Sequence, residues 1–289
     1  MRLLLLLLAG LLAAPAADAR MHAPYRGHRI VPTAPPPPLD TLTTPAAAYS
    51  MRKLKSTYAG PAIHIFRTSD STERDINFLS FTSFTGAPVD TAAISTFCAA
   101  TTCYLYAWYD QSGNARDAWH DGNPPLLVQN CIGSLPCAQS STSGQRVLNG
   151  PVASFVARSG VSVVGKRVSG TDPCYFIQKG LNVIAADIAN NWLATDFTTA
   201  SYQMPATDNV WHAGMAITPT GGPATGRIDA TETVGPTLSG APGGYIIIMA
   251  TTPPTVCQTT EGIVWDNYAL TPAERTGLQQ NQQSFWGTP

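Results

Sequence analysis

The chain has 289 residues, with 17 basic and 18 acidic side chains and a formal net charge of −1. Only 12% of residues are charged, about half the share of an average soluble domain, while 44% are hydrophobic. A near-neutral chain lacks the electrostatic footprint of a nucleic-acid partner, the apolar content is not that of a disordered chain, and no heptad pattern points to a coiled coil.

Arg2 leads into an apolar run over 3–12, and Ala17-Asp18-Ala19 follows. A charged start, a short apolar run and a small-x-small site predict a secretory signal peptide over 1–19. The run is short for a bilayer span, so a retained membrane anchor is the lesser alternative. The expected product is secreted or periplasmic, with no membrane partner after cleavage. Residues 20–45 contain Pro24, Pro32, the run Pro35 to Pro38, and Pro45. That composition predicts an extended linker lying outside the core. Ala46 to Tyr58 reads as a short helix or a turn-rich stretch.

Short apolar runs bounded by Gly, Pro, Asp and Asn come next. They are Ala62–Phe66, Tyr104–Tyr109, Leu126–Gln129, Val152–Val156, Val161–Val164, Val210–Ile217, Tyr245–Ala250 and Glu261–Trp265. Several alternate apolar and polar residues, as half-buried strands do. Thr271-Pro272-Ala273-Glu274 has the order of a helix start, with Thr as N-cap, Pro at the first position and Glu at the third. That helix is expected to reach about Phe285. Many strands and few helices predict an all-β sandwich of two sheets over 46–289, with a few short helices including a C-terminal one.

Six cysteines occur: Cys98, Cys103, Cys131, Cys137, Cys174 and Cys257. In an oxidising compartment an even count implies disulfides, but six cysteines allow 15 pairings. Proximity favours Cys98–Cys103 and Cys131–Cys137 and leaves Cys174–Cys257. No CxxC occurs and the five histidines lie far apart in sequence, so no metal or other cofactor is expected. Asp110, Ser112 and Asn114 have the spacing of a calcium loop, but Ala115 stands where that loop needs glycine. Asp110 and Asn114 are therefore weak calcium candidates, and an Asp-initiated turn is the plainer reading.

Glycoside hydrolysis needs two facing carboxylates. Past the first 19 residues the chain has Glu73, Glu232, Glu261 and Glu274. Glu274 suits a helix cap and Glu73 a charged turn. Glu232 and Glu261 read as surface residues. Asp187 and Asp196 bracket Asn190, Asn191 and Trp192, which is a set of acceptors, amides and a ring that suits a sugar and equally suits a polar loop. No GxSxG occurs to support a serine nucleophile.

Three stretches add a resemblance. They are Asp90-Thr91-Ala92-Ala93, Phe97-Cys98-Ala99-Ala100-Thr101-Thr102-Cys103 and Tyr109-Asp110-Gln111-Ser112-Gly113-Asn114. Together with Tyr49-Ser50 and Arg52-Lys53-Leu54, they resemble the catalytic domain of α-L-arabinofuranosidase B, glycoside hydrolase family 54. The resemblance implies a concanavalin/laminin-G-like sandwich (jelly roll), a Cys98–Cys103 bridge, and arabinose-containing polysaccharide or oligosaccharide as partner. It also exposes departures. Where the family has adjacent cysteines followed by Phe, this chain reads Cys174-Tyr175-Phe176, so Cys174 is left for another partner. Where the family's nucleophile lies in Asp-Met-Glu-Asn-Asn, this chain reads Asp187-Ile188-Ala189-Asn190-Asn191, with Ala189 at the glutamate. The strand Tyr245 to Met249 resembles the one before the family's acid/base aspartate, and that match puts Pro253 at the aspartate.

Alanine cannot form a glycosyl intermediate and proline cannot donate a proton. The resemblance thus implies a sugar-binding site at Asp187, Asn190, Asn191 and Trp192 whose catalytic positions, Ala189 and Pro253, are degenerate. Two alternatives stand beside it. One is an active retaining arabinofuranosidase that recruits Glu232, Glu261, Asp196 or Asp208. The other is a non-enzymatic adhesion or surface domain of the laminin-G-like kind.

Overall fold

The computed structural model describes residues 36–80, 86–140, 148–150, 159–170, 174–179, 182–187, 191–195, 201–219, 222–237, 246–251 and 255–289. The first strands are β1 (Ala47–Ser50), β2 (Ile63–Arg67) and β3 (Thr72–Ile76), followed by helix α1 (Thr91–Phe97). Next come β4 (Cys103–Trp108), β5 (Ala118–His120), β6 (Leu126–Ile132), β7 (Leu135–Gln139), β8 (Leu148–Gly150) and β9 (Ser159–Ser169). The middle of the chain forms β10 (Cys174–Lys179), β11 (Asn182–Asp187), β12 (Asn191–Thr195), β13 (Ser201–Pro205) and β14 (His212–Thr218). The last elements are β15 (Thr225–Ile228), β16 (Thr231–Val234), β17 (Ile246–Thr251), β18 (Val256–Asp266) and helix α2 (Pro272–Trp286).

Pairing sorts these strands into two antiparallel layers. One runs β16-β15-β14-β9-β18-β1. The other runs β3-β2-β4-β5-β8-β17-β10-β11-β12-β13. The β6–β7 hairpin joins them, because β6 pairs with β4 and β7 with β18. The all-β sandwich expected from the short strands is therefore the fold. α2 covers the outer face of the first layer.

Strand periodicity divides the core. In β18, Ile263 and Trp265 pack with Leu278 of α2 and with Met215 and Ile217 of β14. The alternate residue Gly262 faces the second layer, where a Cβ would fall 3.1 Å from Ile177. Buried on both faces, β18 reads as an almost continuous buried run instead of an alternating one. Glycines let the two layers approach closely. A Cβ on Gly165 would lie 2.8 Å from the Phe176 ring, and one on Gly214 would collide with Trp192.

The expected strands are present with boundaries shifted by a few residues, except Val152–Val156, which lies outside the described residues. Three expectations change. Ala46 to Tyr58 opens with a strand, because β1 pairs with β18 along one edge, and beyond β1 it is the turn-rich alternative that holds, not the helix. Thr91–Phe97 is a helix that the strand reading overlooked; the Asp90 side chain caps it by accepting from the Ala93 amide at 2.9 Å. The proline-rich segment does not stay outside the core throughout its length. Pro38 and Leu39 are buried in a 3-10 turn, and the Leu39 amide donates to the Leu54 carbonyl at 3.0 Å. Leu39 buries its side chain in the apolar cluster under α2, which overrides the extended preference of its neighbours. The residues assigned to a signal peptide, and the linker up to residue 35, lie outside the described residues. No described helix is long and apolar enough to cross a membrane.

All three disulfides have the pairing that proximity and elimination give. The Cα separations are 5.8 Å for Cys98–Cys103, 5.6 Å for Cys131–Cys137 and 5.9 Å for Cys174–Cys257, all within the range a disulfide requires. The last bridge fastens β10 of one layer to β18 of the other.

Candidate functional site at the ends of β11 and β17

Of the residues suggested by sequence, Asp187 lies on β11 and Asn191 and Trp192 on β12, adjacent strands of the second layer. β11 ends at Asp187, which is in register with Asn191 at the start of β12. On the other side of β11, Ala186 is opposite Cys174, the first residue of β10, and Cys174 is opposite Thr251, the last residue of β17. β11 and β17 therefore finish at the same end of one sheet, on either side of the start of β10. Two strand spacings separate them, about 10 Å at the backbone. Sequence alone could not have placed residues 187 and 251 at one sheet end, because the antiparallel order β11-β10-β17 does that. Ala189, Asn190 and Pro253 themselves lie outside the described residues.

Trp192 does not join this site as a sugar platform. It is 2% exposed and packs against Phe176, with ring centroids 4.7 Å apart, and edge-on against His212 at 5.9 Å. Neighbouring strand residues point to opposite faces, and the missing side chain at Gly214 gives this ring its space between the layers. Asn191 is half-buried at the strand start.

The other carboxylates have structural partners. Glu261, expected at the surface, is fully buried. The Arg52 guanidinium donates to both of its oxygens, at 2.7 and 3.1 Å. Ser50 Oγ donates at 2.9 Å, Gln282 Nε2 at 3.0 Å and Trp286 Nε1 at 3.1 Å. Burial by itself pushes the carboxyl's pKa up, but the Arg52 charge and these donors outweigh it and hold the pKa below its ordinary value. Ile263 and Trp265, two and four residues on, mark the face of β18 that Glu261 shares, and that face is under α2. Strand phase thus decided what charge alone could not. An ionised carboxylate sealed under α2 has no access to a substrate. Glu232 is held by Arg275 at 3.0 and 3.1 Å, and Asp208 is held by Arg167 at 2.8 Å. Asp196 lies outside the described residues. Glu274 forms the expected capping box with Thr271.

Asp110 and Asn114 close a turn. Asp110 Oδ1 accepts the amides of Ala48 at 2.8 Å and Ser112 at 2.9 Å, while Oδ2 accepts Ser112 Oγ at 2.7 Å and the Arg116 amide at 3.1 Å. Asn114 Nδ2 donates to the carbonyls of Pro45 and Ala46 at 2.9 and 3.1 Å. With both carboxylate oxygens taken by donors, Asp110 is not arranged as a calcium ligand. The loop instead completes the second edge of β1: the Gln111 amide donates to the Ala48 carbonyl, and Gln111 Oε1 accepts the Leu54 amide at 2.7 Å. Among the described residues no group of three or more His, Cys, Asp or Glu is placed to hold a metal.

The described strands form a two-layer antiparallel sandwich, and comparison with known proteins finds the same fold. Residues 40–131 match the family described as "Alpha-L-arabinofuranosidase B, catalytic". Alpha-L-arabinofuranosidase B of Emericella nidulans is 42% identical over 72 residues, which are 25% of this chain and 13% of that protein. The Aspergillus niger enzyme of the same name is 41% identical over 71 residues, again 13% of its length. The matched sequence thus spans only about an eighth of these relatives. Among solved structures, a GH54 α-L-arabinofuranosidase soaked with a cyclic sulfate inhibitor superposes over 82% of this chain and 62% of its own, with TM-score 0.63 and 18% identity. An arabinofuranosidase complexed with arabinofuranosyl-α-1,2-xylobiose gives TM-score 0.59 at 18% identity over the same shares. The chain resembles the α-L-arabinofuranosidase B catalytic domain in sequence over 40–131 and in fold over most of its length.

Proposed function

We propose that the protein is an exported arabinofuranosidase-B-like domain that binds arabinose-containing glycan at the shared end of β11 and β17 and hydrolyses it little or not at all. The observation that supports this most is the register Ala186–Cys174–Thr251, which brings the ends of β11 and β17, the strands next in sequence to both segments singled out by the resemblance, to one end of one sheet. In those segments the sequence has Ala189 and Pro253 where the resemblance expects the nucleophile and the acid. Asp187, Asn190 and Asn191 keep acceptors and amides for sugar hydroxyls. The three disulfides suit an oxidising compartment outside the cytoplasm.

Incubation with an aryl α-L-arabinofuranoside, beside an arabinan-binding measurement, tests the reading. Turnover is expected to fall below that of an active enzyme by on the order of 10⁴-fold or more, the usual scale for a lost catalytic group. Asp187→Ala should weaken arabinan binding by about 1–3 kcal/mol if its acceptor meets the sugar. Ala189→Glu alone should not restore turnover. Robust hydrolysis by the unaltered chain would overturn the proposal.

A further inference from the structure

The solvent face of the second layer carries a cluster that the site above does not use. One row of paired residues crosses four strands: Asp75 on β3, His64 on β2, Ala107 on β4 and Trp119 on β5. Trp119 is 47% exposed, an unusual state for a large ring on a sheet. The His64 ring lies 5.8 Å from it and the Tyr109 ring stands edge-on at 6.3 Å. Ala107, between the His64 and Trp119 positions, is fully covered. Beside this row Phe66 stacks on Tyr106 at 4.7 Å, and Tyr106 meets His120 at 4.2 Å.

Polar groups border the rings. His64 Nδ1 bonds Asp75 at 2.6 Å and Nε2 bonds Glu73 at 2.8 Å, while Tyr109 Oη donates to Asp75 at 2.7 Å. All of these bonds fall on Asp75 Oδ1 and Glu73 Oε2, and both carboxylates remain about half exposed. Each therefore offers its other oxygen as an acceptor beside an exposed ring. Burial lowers the His64 pKa, but Glu73 and Asp75 together outweigh it and raise it, which favours the charged imidazole and offsets one of the two carboxylates.

We infer that Trp119, with Asp75 and Glu73 at its border, forms a second carbohydrate-binding surface for an uncharged oligosaccharide. A sugar ring presents C–H groups that stack on an aromatic face and hydroxyl donors that suit free carboxylate oxygens. A cation is the rival ligand, since carboxylates and rings attract one. It is disfavoured because Trp119 offers one open platform instead of several rings around a point, and because the His64 ring, bonded to both carboxylates, already occupies the place between them. The row spans three strand spacings, about 14 Å, which is long enough for more than one sugar ring. It also runs on through Asn149 of β8 to Ile247 of β17, the strand that carries the candidate site. The inference does not depend on the reading of that site.

Affinity electrophoresis of the full chain in gels holding soluble arabinoxylan tests it. The variants are Trp119→Ala, Asp75→Asn and Asp187→Ala, each first shown to keep the wild-type melting temperature within a few degrees. Trp119→Ala is expected to weaken retention on the order of tenfold, the scale of one lost aromatic stack with its buried area. Asp75→Asn, which keeps the shape of the site, should weaken it less. Wild-type retention in Trp119→Ala overturns the inference. Loss of retention in Asp187→Ala alone overturns it while leaving the strand-end reading intact. Loss in Trp119→Ala alone supports it and counts against the strand-end site. Release of the protein by millimolar tetramethylammonium chloride at constant ionic strength would identify a cation site and overturn it too.

Discussion

Residues 40–131 and the strands from β10 to β17 obey different constraints. The first region matches its relatives in sequence, yet its most distinctive segment, Tyr109 to Asn114, serves the fold. Asp110 and Gln111 pair the free edge of β1, and Asn114 fastens the chain just before it. Those residue types at that spacing matter because each satisfies a particular backbone group of β1 or of the chain that flanks it. The family match in sequence ends at residue 131, whereas the likeness in fold extends over 82% of the chain at 18% identity overall. Apolar residues of suitable size suffice to hold a sheet, a looser demand than the backbone-specific bonds of the Asp110 loop. Matching motifs in this chain therefore report shared architecture, which by itself assigns no chemistry.

Removing the Cys174–Cys257 bridge should have the largest effect on that contrast. The bridge closes a loop of 83 residues, so replacing both cysteines with Ala is expected to cost about 4.5 kcal/mol by chain entropy. Hydrogen exchange should rise first in β10, β11 and β17, with the Asp110 loop still protected. Equal loss of protection in both regions would show that the two do not respond separately.

Next is Glu261→Ala, which leaves the Arg52 charge buried without its partner. The expected loss is about 3–5 kcal/mol in denaturant unfolding. The same carboxyl sets an acid limit. Its pKa in the folded protein is below the ordinary carboxylate value, so its contribution is fully present above that ordinary value and disappears as pH falls through the folded one. Glu261→Gln should flatten that part of the stability curve, and an unchanged acid profile would contradict the assignment.

The smallest of the three is Asp110→Ala. Four donors lose their acceptor, but the loop can admit water, so we expect a loss of about 2–3 kcal/mol. Added calcium should not stabilise the unaltered protein. A rise in melting temperature with calcium would restore the metal-loop reading of Asp110 and Asn114.

Much of this protein was legible in one dimension. Turn residues between short alternating runs gave the sandwich, Thr271-Pro272-Ala273-Glu274 gave the start of α2, and cysteine spacing gave all three bridges, because each depends on neighbours in sequence or on simple counting. What the sequence hid depends on strand phase and strand order. Glu261 looks like a surface carboxylate until β18 turns it under α2 toward Arg52. Trp192 looks like a sugar platform until Gly214 opens a space for it between the layers. His64 and Trp119 are 55 positions apart, and only the antiparallel pairing β2-β4-β5 makes them neighbours. Side-chain chemistry and local spacing are written in the chain itself, whereas the face on which a strand residue lies, and the distant residue it meets there, are set by how the sheets assemble.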